Sequence, residues 1–78
     1  PNPFNPNTNI SYTLRENTNV EIIVYNILGK KVSTLVQEFQ PIGYYNVIWD
    51  ATIQASGIYY IQLHAGNYIE RKKVTLLK

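Results

Sequence analysis

Apolar and polar residues alternate in short runs along most of this chain. Ile10, Tyr12 and Leu14 interleave with Asn9, Ser11 and Thr13. That is the period of two expected of a half-buried strand. Glu16-Asn17-Thr18-Asn19 reads as a polar turn. Val20, Ile22 and Val24 then alternate with Glu21, Ile23 and Tyr25, predicting a second strand. Asn26-Ile27-Leu28-Gly29 supplies a turn whose glycine can take a positive φ. Pro41-Ile42-Gly43 marks another turn, with the proline presetting φ. Tyr45, Val47 and Trp49 follow on one face, with Tyr44, Asn46 and Ile48 on the other. After a loop from Asp50 to Ser56, Gly57 opens a strand that aligns Tyr59, Ile61 and Leu63. Ala65-Gly66-Asn67 is a hairpin turn, and a last strand runs from Tyr68 towards Lys78 with Val74 and Leu76 inward.

The pattern breaks once. Between Lys30 and Phe39 the apolar positions are Val32, Leu35, Val36 and Phe39. A bulge or an edge strand accounts for the lost alternation. An amphipathic helical turn is the competing reading. With this segment as a strand there are six strands, or seven if the long last segment splits. Short strands at this spacing predict an all-β fold, an antiparallel sandwich of the immunoglobulin or fibronectin-III type.

Residues 1–8, PNPFNPNT, differ in kind. Three prolines among asparagines cannot pair inside a sheet, so an extended arm or linker end is expected there, ahead of one domain at 9–78. With 78 residues the chain has room for one core. A chain of this size buries only about 60% of its unfolded surface, which makes stability marginal. Charged residues are 15% and the net charge is +2, too weak a signal for nucleic-acid binding. Arg71, Lys72, Lys73 and Lys78 nevertheless crowd into the last eight residues. There are no cysteines, so packing or a neighbour must do what disulfides do in many small secreted domains. No apolar run is long enough for a membrane helix. The chain begins at Pro1 without a signal peptide, and is expected to be a piece of a longer precursor.

Catalytic chemistry finds little to work with. His64 is the one histidine and falls on a strand, opposite Tyr59, Ile61 and Leu63. Ser11, Ser33 and Ser56 lack the strand-turn-helix setting of a hydrolase nucleophile. Asp50 is the only aspartate, and Glu16, Glu21, Glu38 and Glu70 are scattered, so neither a metal cluster nor a paired-carboxylate site is expected. Asp50 suits a turn-capping role, although the backbone carbonyls of its loop could in principle hold calcium. Tyr44, Tyr60 and Tyr68 are candidates for a sugar-stacking platform, set against the plainer role of covering a small core with wet hydroxyls. Trp49 is the expected centre of the core. Asn9-Ile10-Ser11 matches a glycosylation sequon but falls on a predicted strand. No cofactor is expected.

A set of short motifs in order carries a resemblance. Pro1-Asn2-Pro3-Phe4-Asn5-Pro6 opens it, then Val24 to Gly29, the block Pro41 to Asp50, and Ala55-Ser56-Gly57-Ile58-Tyr59. Lys72-Lys73-Val74-Thr75-Leu76-Leu77-Lys78 ends it. Along its whole length the chain resembles the type A C-terminal sorting domain of the bacterial type IX secretion system. It is also similar to the immunoglobulin-like domain of flagellar hook-capping proteins. The resemblance implies a non-catalytic signal that sends a larger secreted protein through the outer membrane. It implies as partners the outer-membrane translocon, a shuttle protein, a sortase and an upstream cargo domain. It also implies transit through the periplasm, then the cell surface or the medium. The recognition residues it implies are Pro1, Asn2, Pro3 and Phe4, then Gly57 and Tyr59, then Lys72, Lys73 and Lys78. Low charge, seven tyrosines and open sheet edges keep a self-associating structural module as the alternative, by strand addition. A carbohydrate-binding module is the remaining alternative.

Overall fold

The computed structural model describes residues 6–78. Six strands follow in order: β1 (Asn7–Leu14), β2 (Thr18–Asn26), β3 (Lys31–Gln40), β4 (Gly43–Asp50), β5 (Gly57–Ala65) and β6 (Tyr68–Leu76). All pairings are antiparallel. One sheet has the order β3-β2-β5-β6 and the other pairs β1 with β4. The fold is a β-sandwich. The last segment runs unbroken as β6, so the described residues hold six strands.

Alternation selects the inner face of each sheet. In the smaller sheet Ile10 lies opposite Val47 and Tyr12 opposite Tyr45. In the larger sheet Ile22 lies opposite Leu63 and Val24 opposite Ile61. Trp49, Ile22, Val20 and Val24 are the largest fully buried side chains. They make a dry core from both layers, as two packed sheets require. Ile23 is also buried, on the other face, between Thr34 and Gln62 in register. The near-continuous apolar run Ile22-Ile23-Val24 thus marks a strand flanked on both sides.

The broken pattern of residues 30–39 resolves as an edge strand with two irregularities, and the helical alternative is excluded. Register shifts occur opposite Ile22/Ile23 and opposite Val24/Tyr25. Each inserts an extra residue, so Val32, Leu35 and Val36 all pack on the core despite their uneven spacing. The boundary of the first strand is also corrected. β1 opens at Asn7, where Asn7 and Thr8 pair with Asp50 and Trp49 rather than belonging to a preceding arm. A polar network supports the far end of the core. Tyr12 stacks on Tyr45 with ring centroids 5.3 Å apart, and its hydroxyl donates to Gln40 Oε1 at 2.7 Å. Gln40 Nε2 in turn donates to Glu38 at 3.0 Å, so this buried amide is satisfied at both ends.

Candidate functional site

The start of β1, the end of β4, the start of β5 and the end of β6 all lie at one end of the sandwich. The loop 51–56 spans that end. Ala51 is fully buried, and its amide donates to the Pro6 carbonyl at 3.2 Å. The Asp50 carboxylate accepts from the Thr52 amide at 3.0 Å and from the Thr52 hydroxyl. These two hydrogen bonds hold its pKa below the ordinary aspartate value. The Gln54 amide closes a turn on the Ala51 carbonyl at 2.9 Å. Asp50 is therefore the turn cap its position predicted.

Lys78 clamps this loop from the other side. Its ammonium donates to the carbonyls of Thr52 and Gln54, the latter at 2.8 Å. Its backbone amide donates to Ser56 Oγ at 3.1 Å. Two loop carbonyls considered as calcium ligands are thus engaged by an ammonium group. Among the described residues no group of three acidic or histidine side chains could hold a metal ion.

Gly57 opens β5 with φ of +154°, a value that L side chains rarely adopt. Tyr59 points inward and is buried. Its ring meets Trp49 edge-on at 5.2 Å, and its hydroxyl donates to the Ala55 carbonyl at 2.6 Å. The family resemblance implies a recognition role for these two residues. Their contacts position the loop 51–56: Gly57 by its backbone, Tyr59 by a hydrogen bond anchored in the core.

The cationic residues do not share one surface. Lys73 pairs with Tyr60 on the outer face of the four-stranded sheet, whereas Lys72 pairs with Ile61 on the inner face. Lys72 is exposed although its partner Ile61 is buried. Lys78 belongs to the loop clamp. Pro1, Asn2, Pro3 and Phe4 lie outside the described residues. The three tyrosines of the sugar platform are also separated. Tyr44 faces out from the two-stranded sheet, Tyr60 lies on the outer face of the other sheet, and Tyr68 lies on its inner side. No common platform forms from them. The exposed His64 pairs with Ile69 of β6 on one side and with Glu21 of β2 on the other, and neither partner is a nucleophile.

The loop clamp by Lys78 was missed because a lysine near a chain end gives no sign of where its ammonium goes. Only the pairing of Gly57 with Leu76 brings that end beside the loop.

Neither a search of curated proteins nor a search of solved structures returned a significant match. The family model described as secretion system C-terminal sorting domain does match, over residues 1–76. The chain belongs to that family, and is a non-catalytic C-terminal sorting domain of the Por (type IX) secretion system.

Proposed function

We propose that this sandwich is read in its folded state by the outer-membrane translocon and its shuttle protein, as an address for a cargo domain upstream. The cargo passes through the periplasm to the outer-membrane surface or the medium, with a sortase acting on the delivered precursor. One observation carries this reading: Pro6, the loop 51–56 and Lys78 converge on one end of the domain. Pro6, at the entrance to β1, and the basic-hydrophobic ending of β6 then lie at a single presented end. In this proposal the residues ahead of β1, Pro1 to Phe4 among them, join cargo to signal. Gly57, Tyr59 and Lys78 shape the loop, while Lys72 and Lys73 supply charge on the two faces of β6. Complementary charge favours fast and selective docking more than tight binding. The test is removal of Val74 to Lys78 from a full precursor. Cargo should accumulate in the periplasm; normal surface display overturns the reading.

A second reading, self-association, is favoured by the sheet edges. The four-stranded sheet guards its edges, with register shifts in β3 and the run Glu70 to Lys73 in β6. The two-stranded sheet has no such guard: β1 carries no charge or proline, and β4 none before Asp50. Strand addition at these edges would give concentration-dependent oligomers in sedimentation. A strictly monomeric chain at millimolar concentration excludes it.

A further inference from the structure

The outer face of the four-stranded sheet carries a transverse row that no sequence motif announced. Lys31 lies opposite Tyr25, Tyr25 opposite Tyr60, and Tyr60 opposite Lys73. One side chain from each strand thus forms the sequence Lys-Tyr-Tyr-Lys across the sheet. The adjacent row adds Arg71 opposite Gln62. Arg71 is held in place twice. Its guanidinium carbon sits 5.6 Å from the centre of the Tyr60 ring, and its Nη2 donates to Gln62 Oε1 at 3.0 Å. Both tyrosines are half-buried, while the three cations are exposed.

No carboxylate occupies either row. The strand register places Glu38 and Glu70 on the inner side. Glu21 starts the next row outward, two strands away from Arg71. The positive charge here is therefore not neutralised by its own sheet. A guanidinium already stacked and hydrogen-bonded loses little freedom when it forks a carboxylate.

We propose that this face binds an acidic, extended segment of a partner polypeptide. The proposal rests on the sorting reading above, and names the partner chemistry that reading leaves open. Spacing supports an extended segment. Three inter-strand steps separate Lys31 from Lys73, roughly 14 Å. Carboxylates on alternate residues of an extended peptide recur about every 6.7 Å, so three of them span that row. A saccharide is disfavoured because Arg71 covers one face of Tyr60, the surface that a sugar ring would stack on.

The test is nuclear magnetic resonance titration of the 78-residue chain with a capped Glu-Thr-Glu-Thr-Glu peptide. A Gln-Thr-Gln-Thr-Gln peptide and an oligogalacturonate serve as comparison probes. Amide shifts should cluster at Tyr25, Tyr60, Arg71 and Lys73, and should require the glutamates. Arg71→Ala and Lys73→Ala should each weaken binding about fivefold. Lys72→Ala, one residue away but on the opposite face, should leave it unchanged. Equal loss from the Lys72 and Lys73 variants overturns the proposal, as does binding of the oligogalacturonate in place of the peptide. A precursor export assay separates the two readings. Absence of peptide binding in a domain that still exports cargo removes the acidic-segment proposal alone. Normal export by an Arg71→Ala/Lys73→Ala precursor that has lost the peptide removes the sorting use of this face.

Discussion

The ammonium of Lys78 lies 2.8 Å from the carbonyl oxygen of Gln54, across the loop that joins the two sheets. A side chain expected to present charge outward is turned back to hold backbone. The loop 51–56 holds itself with one turn bond and the Asp50 cap on Thr52. Pro6, Tyr59 and Lys78 hold it from outside.

Lys78→Ala should therefore loosen the loop without unfolding the sandwich. The lysine is exposed, so little global stability is at stake. Hydrogen exchange at the Gln54 and Ser56 amides should quicken, while Ile22 and Val24 amides keep their protection. Unchanged exchange across 52–56 would mean that the clamp does not hold the loop in solution.

Tyr59 separates position from recognition. Tyr59→Phe keeps the ring against Trp49 and removes only the hydroxyl bond to Ala55. The expected cost is about 1 kcal/mol in urea denaturation, with the Ala55 carbonyl free to find water. Tyr59→Ala also empties a core position and should cost about 3–5 kcal/mol. Export of a Tyr59→Phe precursor should stay near normal. Loss of export at unchanged stability would restore Tyr59 as a direct recognition residue.

Gly57 tests the backbone by itself. A Cβ at this position meets nothing within 4 Å, so a substitution fails only through its φ of +154°. Gly57→Ala should destabilise by about 1–3 kcal/mol, seen as a lower urea midpoint at unchanged m. Gly66 differs in cause: at φ of +60°, a Cβ there would also come within 3.1 Å of Thr18 Oγ1. An unaltered urea midpoint for Gly57→Ala would show that β5 can open along another path.

These effects explain what the amino-acid pattern could and could not disclose. The strands of β1, β4 and β5 follow from strict alternation around Tyr12, Trp49 and Ile61, because a half-buried sheet leaves a period of two. β3 was readable only as an irregularity. Its two register shifts bring Val32, Leu35 and Val36 to one face, and no fixed period describes that. The candidate surface was less legible still. Lys72 and Lys73 are adjacent in sequence, and pleating sends them to opposite sides. Tyr25, Tyr60 and Lys31 come from three strands, so only the register places them beside Lys73. Ordering of motifs disclosed the family, but not which side chains share a face.

The last prediction concerns pH. Burial raises the pKa of Tyr12 above its ordinary value of 10.0, and this outweighs the lowering effect of the Gln40 hydrogen bond. Folding thus favours the neutral phenol, and the native state holds its proton more firmly than the unfolded chain. Stability from this group is fully present below pH 10 and falls as pH rises through the native pKa. Tyr12→Phe should lower stability at pH 7, because the Oε1 of the buried Gln40 loses its donor. The same variant should flatten the decline above pH 10, since one phenol that resists ionisation is gone. The measurement is the urea midpoint of both proteins from pH 7 to 11. Parallel curves across that range would show that Tyr12 does not couple its ionisation to folding.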